Sequence, residues 1–286
     1  MTPPAATPFR LDAVADPATI EAAWRRLEGE GVALPFQTRD WVDAFLAAGA
    51  LPKGARPLVL RGRRGEETHL LLPLVVERRG AVSIARRLGA SHASYVLGVW
   101  SREAFAGLAP AELEAELLRI GRAEGIDAFA FDAVPATWDG CPTPLAGVGT
   151  VRPALDDGHA FRLATSFDAL LAGRNAGHKR KKVRAKERLL EAAGGYRIFV
   201  AADPAEVEAA LAAYFAQKGA SLAARGIADP FADPAIRDAY RRLALLSLGR
   251  PEPLLELTVL EAGGAIRAVI GASIRADRLY ALFVSY

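Results

Sequence analysis

"LLELTVLEAGGAIRAVIGASIRADRLYALFVSY", Leu254 to Tyr286, is the stretch on which the fold turns. Three runs rich in Val, Ile, Leu and aromatic residues are separated by Gly263-Gly264 and by a turn near Asp277. Apolar runs of strand length broken by glycine pairs and Asp are the pattern of an antiparallel meander. Upstream, "YRIFVA" (196–201) reads as a strand. "DPAEVEAALAAYFAQKGASLAA" and "DPAIRDAYRRLALLSLG" have helical spacing, the first with Asp203 as its cap. Helices and strands thus share one segment, and the class is α/β.

Working toward the N-terminus, "GHKRKKVRAKERLL" (Gly177–Leu190) reads as a strongly basic helix, preceded by "SFDALLAG" with Ser166 as a cap and by a strand "HAFRLA" from His159. Residues 135–158 are dominated by turn formers and mark a linker. Before the linker, a strand at Phe9–Val14 leads into a helix capped by Asp16, with Ile20, Ala23, Trp24 and Leu27 as its stripe. A second helix has Thr38 as its cap and Trp41, Phe45 and Leu46 facing inward. Two strands then flank Arg63-Arg64-Gly65-Glu66, and Pro73 in the second of them predicts an edge or a bulge. "AVSIARRLGASHASYVLGVW" reads as strand, loop and strand, "PAELEAELLRIGRAEG" as a helix with Leu113, Leu117, Leu118 and Ile120 mainly on one side, and "IDAFAFDAV" as a strand. The expectation is two domains, 1–154 and 155–286, each a mixed sheet flanked by helices. The chain stops inside its final strand, so the second domain reads as truncated at its C-terminus.

Composition bounds the function. The 286 residues are 51% hydrophobic and 24% charged, ordinary globular values. The net charge is +3, yet the basic stretch alone holds seven cations against Glu187, and without it the chain would carry −3. The charge is therefore local, which argues against a general nucleic-acid binder. One cysteine, Cys141, excludes an intramolecular disulfide framework, and four scattered histidines give no helix-borne metal pair. The N-terminus has no apolar signal core and no apolar run approaches about 18 residues, the expectation for a soluble, cytoplasmic protein.

The order of elements from the basic helix through "GGYRIFVAADPAEVEAALAAY" and "QKGASLAARGIADPFADPAIRDAY" to the Gly-Gly meander resembles acyltransferases of the GNAT superfamily. Specifically, it resembles the tandem-domain, CelD-like group associated with cellulose biosynthesis. "PFQTRDWVDAFL", "LLPLVVERRGAVSIARRLGASHASY" and "IDAFAFDAVP" are similar to the N-terminal half of that group. The architecture is also similar to Fem-type aminoacyltransferases, which draw on aminoacyl-tRNA. The resemblance implies two GNAT-like domains and transfer from acetyl-CoA or another acyl-CoA to an amine or saccharide hydroxyl. It implies a small-molecule donor and an acceptor not specified by the sequence, with tRNA as the alternative donor. It also implies a diphosphate loop of the form R/Q-x-x-G-x-G/A at a helix start, where free N–H groups and the dipole favour anions. Arg86-Arg87-Leu88-Gly89-Ala90-Ser91 comes near this form, with Ser91 where Gly or Ala belongs and a loop where the helix belongs.

The residues themselves give candidates of unequal weight. Lys179, Arg180, Lys181 and Lys182 on the basic helix are the expected substrate-binding cations, and the resemblance implies that Tyr286 lines the acyl cleft. Ala176, Val183 and Leu190 make a narrow apolar seam, so this helix should show most of its surface to water. His178 beside them is a candidate base. His92 and Tyr95 are a candidate pair for an acceptor hydroxyl, Lys218 and Arg225 flank a helix end, and Tyr280 and Tyr286 share a face from which Phe283 alternates away. No catalytic residue is assigned, because acyl transfer by positioning and backbone donors needs no fixed side chain.

Overall fold

The structure, a computed structural model, describes residues 7–155, 157–172 and 176–286. It divides into two compact units. One takes the chain up to Leu155 together with Pro230–Leu243, and the other holds the intervening stretch to Asp229 with Ala244–Tyr286. Both mix helices with a sheet, so the α/β class read from the sequence is what the chain adopts.

The first unit contains β1 (Phe9–Val14), α1 (Glu21–Glu30), α2 (Arg39–Ala47), β2 (Arg56–Arg64), β3 (Glu67–Arg79), β4 (Val82–Arg87), β5 (Val99–Trp100), α3 (Arg102–Gly107), α4 (Pro110–Glu124), β6 (Ala128–Ala130) and a short β7 (Thr137–Trp138)–β8 (Cys141–Pro142) pair. The sheet order is β1-β2-β3-β4-β6, with β5 also on β3. All pairings are antiparallel except β4 with β6, so this sheet is mixed as expected. The buried run Leu70–Val76 explains why β3 is central, since a strand covered on both sides loses the polar alternation of an edge.

Pro73 sits in this central strand without a bulge beside it. It pairs with Val59 of β2, while β5 meets only Leu70 and Leu71 and β4 begins at Leu74. On the side away from β2 neither β5 nor β4 reaches Pro73, so the strand has a local edge there within the sheet interior. Asp16 does cap, but its carboxylate accepts from Ala18 of a 3-10 turn at Pro17–Ile20 that precedes α1. Thr38 stands at the start of α2 without capping it. Its hydroxyl donates back to the Pro35 carbonyl at 2.7 Å. Of the four apolar residues expected on one side of α4, Leu113, Leu117 and Ile120 are buried, whereas Leu118 faces water.

One buried carboxylate ties α4 to β1. Glu116 accepts from the Leu11 backbone at 2.8 Å, from Arg10 at 2.6 Å and from Arg119 at 2.8 Å. Burial alone would raise its pKa; the bonds from Arg119, the Leu11 N–H and Arg10 outweigh it and bring the pKa down from 4.5 to about 2.

The second unit contains α5 (Phe167–Leu171), α6 (Ala176–Ala192), β9 (Tyr196–Val200), α7 (Pro204–Ala223), the end of α8 (Pro234–Ser247), β10 (Glu256–Ala262), β11 (Ala265–Arg275) and β12 (Arg278–Ser285). Ser166 caps α5 through Ala169 N and Asp203 caps α7 through Glu206 N, as read from the sequence. Its sheet, β12-β11-β10-β9, is antiparallel in every described pairing, because tight turns link β10, β11 and β12 and β9 enters against β10. The mixed pattern expected of both sheets is thus met in the first. No strand forms at His159–Ala164. The alternation of Phe161 and Leu163 is right for one, but both stay exposed, and a strand without a partner leaves its backbone groups unpaired.

α7 covers one face of this sheet. Tyr214 stacks on Phe283 with ring centroids 4.0 Å apart, and Gln217 links the Ile266 carbonyl (3.0 Å) and the Ser285 hydroxyl (2.7 Å). Phe283 lies opposite Gly271, where an added Cβ would stand 2.2 Å from the ring. The register shifts beside Gly271, so Leu282 is an extra residue and Phe283 joins Tyr280 on one face. The expectation that Phe283 alternates away from Tyr280 fails for this reason.

Two outcomes follow from these contacts. Glu116→Gln should flatten the acid limb of unfolding. The depressed carboxyl stabilises the fold above pH 4.5 and loses that contribution as pH falls through about 2. Urea midpoints measured across that range should fall more steeply for the wild type than for E116Q. Gly271→Ala should cost about 1–3 kcal/mol by overpacking, and Phe283→Ala in the same chain should recover part of it, a non-additivity measurable by chemical denaturation.

Candidate functional site

The second unit places an open sheet face and the basic helix within one body. Val200, Thr258, Ile270 and Val284 pair across the four strands and so share a face, as do Ile198 and Leu260 in the next row. Ile198 is 65% exposed, and Val200, Ile270 and Val284 are each exposed by more than two fifths. These apolar side chains lie opposite to the face that α7 covers.

α6 is joined to this sheet at its C-terminal end by two glycine pairs. Gly194 and Gly195 adopt φ of 107° and 87°, ending the helix. Gly263, in the β10–β11 turn, donates to the Gly195 carbonyl at 3.2 Å, and its Cα lies so near Ala193 that a Cβ would meet that carbonyl at 2.6 Å. Only glycine fits a left-handed position pressed against another backbone in this way. The sequence reading recognised Gly263-Gly264 as a turn but had no signal that it meets Gly194-Gly195.

Beyond that anchor α6 is solvated. Val183 and Leu189 are exposed and Leu190 is half-buried, so the narrow seam is not a core face. Lys179, Lys181 and Lys182 are exposed, with no ion pair among the described residues. Arg180 differs: its Nη2 and Nε bind Asp168 of α5 at 2.8 and 3.0 Å. The four cations grouped by sequence therefore divide into three free lysines and one arginine that docks α5. His178 is exposed on the same helix. Tyr286 lies just past β12, 90% exposed, and no described contact brings it to α6. Ala176 of the seam lies where only the backbone is described.

Other candidates are dispersed. Lys218 lies inside α7, not at its end, and Arg225 is exposed after it. Cys141 is a half-buried free thiol in β8. The Arg86–Ser91 motif ends β4 and enters a single 3-10 turn, Ala90–His92, so no helix start lies there to hold a diphosphate.

His92 and Tyr95 do not pair. Tyr95 sits near Trp138, with ring centroids 6.5 Å apart, and its carbonyl accepts from Gln37. His92 instead lies 3.2 Å through Nδ1 from the Tyr240 hydroxyl, within a ring cluster with Phe45 and Phe231 in the first unit. Burial lowers the His92 pKa against an opposing hydrogen bond to the Pro230 carbonyl, and burial raises that of Tyr240. Both are neutral at pH 7. Tyr240 was missed because 148 residues separate it from His92, and nothing local in sequence encodes such a contact.

Residues 177–286 match the model of a family described as an acetyltransferase (GNAT) domain. The match begins on α6 and runs through β12, the same span whose element order carried the resemblance. No curated protein matches the chain significantly. Among the described residues no helix is long and apolar enough to cross a membrane.

Because Lys179, Lys181 and Lys182 are exposed and make no ion pair among the described residues, K179A/K181A/K182A should leave the urea midpoint nearly unchanged, each exposed substitution being worth within about 0.5 kcal/mol. A fall well beyond the sum of three such terms would make α6 a structural element.

Proposed function

We propose that the chain transfers an acyl group from a coenzyme A thioester to an amine or hydroxyl acceptor. The observation that carries this reading is the acetyltransferase-domain match over 177–286, laid on an antiparallel sheet with one open apolar face and a free lysine row on the attached helix. The acceptor nitrogen or oxygen attacks the thioester carbonyl, the C–S bond breaks, and the acceptor's proton leaves with the coenzyme thiolate. Positioning of the two substrates and backbone N–H groups aimed at the developing oxyanion supply most of the rate in such a reaction. A donor with phosphates meets Lys179, Lys181 and Lys182 first, Arg180 being engaged by Asp168, and an aliphatic acyl or pantetheine chain suits the exposed Ile198–Val284 face.

On this reading the acceptor is a saccharide or amine of polysaccharide or envelope metabolism, the donor is acetyl-CoA or a longer acyl-CoA, and residues 1–154 are a second, diverged GNAT-like domain. The density of free lysines on α6 is what favours the second reading, a Fem-type transfer from aminoacyl-tRNA. The two differ in salt dependence. A tRNA donor neutralising several phosphates gives an affinity that falls steeply with salt, whereas a coenzyme A thioester meets few charges and gives a shallow slope.

The experiment is calorimetric titration of acetyl-CoA, longer acyl-CoAs and an aminoacyl-tRNA at two salt concentrations, with thiol release measured against amino sugars. Acyl-CoA should bind with a shallow salt slope, and K179A/K181A/K182A should weaken it about fivefold or more. Failure of every acyl-CoA to bind, with steeply salt-dependent tRNA binding, would replace the first reading with the second.

A further inference from the structure

The most exceptional polar group among the described residues is Arg87, at the C-terminal end of β4. Its side chain is 10% exposed, yet its Nε and Nη1 atoms are buried without any hydrogen-bond partner. Nη2 alone is engaged, by the Asp132 carboxylate at 3.0 Å. Buried N–H groups are almost always satisfied, and a buried cation with one partner is costly unless something further completes it. Burial accordingly lowers the Arg87 pKa, with Asp132 opposing the shift only in part.

Its position in the sheet makes the shortfall informative. β4 and β6 are the parallel pair of the first unit, and Arg87 and Asp132 lie just at and beyond their carboxyl ends. In α/β sheets ligands gather outside the carboxyl ends of parallel strands. The two loops that leave these ends each hold a non-glycine residue in the left-handed region, Ala90 at φ 44° and Ala133 at φ 54°, a cost that persists where a particular backbone shape is retained. The loops are tied by Val96 N to the Ala133 carbonyl at 3.2 Å. Gln37, 2% exposed, donates to the Tyr95 carbonyl of the same loop and leaves its own Oε1 unpartnered. The Asp132 side chain that pairs with the buried guanidinium is itself 63% exposed, so the pair reaches from the interior to water.

We propose that the mouth formed by the β4 and β6 loops is an oxyanion-binding site, in which Arg87 receives the carboxylate or phosphate of a small molecule and Asp132 is its internal stand-in. The planar guanidinium offers a fork that a second carboxylate or a phosphate fills bidentately, using the N–H groups that Asp132 leaves idle. Asp132, being largely in water, swings out at little cost when a better-placed anion enters. The site stands independently of the acyl-transfer reading, and its test uses no acyl donor.

The test is a titration of the full chain with inorganic phosphate and, separately, with malonate. Thermal stability and the side-chain Nε–H resonance of Arg87 are followed at constant ionic strength held with chloride. One of the two anions should bind saturably, raise the melting temperature and shift the Arg87 resonance, and which one does so distinguishes a phosphate from a carboxylate ligand. Asp132→Asn should tighten that binding several-fold by removing the internal competitor. Arg87→Met should abolish the response while keeping or raising the melting temperature in the absence of anion, since a well-packed apolar group replaces an incompletely paired buried charge. Should R87M not fold, D132N with the resonance shift decides alone. Equal responses in wild type and R87M, an unmoved Arg87 resonance with both anions, or weaker binding by D132N would each overturn the proposal.

Discussion

The missing side chain at Gly271 is the constraint around which the second unit is organised. It lets the Phe283 ring lie flat over β11 and against Tyr214 of α7, at a centroid distance of 4.0 Å. The strand can place Phe283 there only by taking up an extra residue at Leu282, and that bulge sets which side chains of β12 face α7. Val284 is thereby turned to the opposite face, in line with Ile270 and Val200. The open apolar face and the packed face are consequences of the same local irregularity.

Charge is handled in two ways along the chain. Glu116 is buried and completed: two arginines and a backbone N–H saturate it, and its low pKa reports that saturation. The α6 lysines are the opposite case, exposed and unpaired among the described residues. Exposed cations act at the range of the Debye length, about 8–10 Å at physiological salt, and select weakly among anions. Arg87 falls in neither category, being buried like Glu116 but incompletely paired. That difference in completeness, not charge as such, separates a group that supports the fold from one that awaits a ligand.

Legibility in the sequence followed the range of the interactions. Caps at Asp203 and Ser166, the β2–β3 hairpin and the final meander rest on residues a few positions apart, and the chain writes them openly. The exposed character of α6 was equally readable from its seven-residue seam. What was hidden depends on partners: the strand pattern at His159–Ala164 that finds none, the face of Phe283 set by a bulge opposite a glycine, and Tyr240 beside His92. Arg180 shows the same limit in the candidate site. Nothing in "HKRKK" distinguishes it from Lys179 or Lys181, yet Asp168 on another helix removes it from the free row.

The pairing of Arg180 bears on how the lysine row works. An arginine fork held at 2.8 and 3.0 Å by a carboxylate has spent its directional capacity, whereas a lysine ammonium is a point charge on a flexible stem. Three such charges on a helix anchored at one end, by Gly263 against Gly195, tolerate many geometries of bound phosphate and enforce none. On the acyl-transfer reading proposed above, recognition of the donor's identity comes from the part of the second unit that has shape, the sheet face with Ile198, Val200, Ile270 and Val284, and from backbone groups near it. On that proposal the helix concentrates an anionic substrate beside the sheet and leaves discrimination to packing, which is why removing its charge should alter affinity much more than acyl-chain preference.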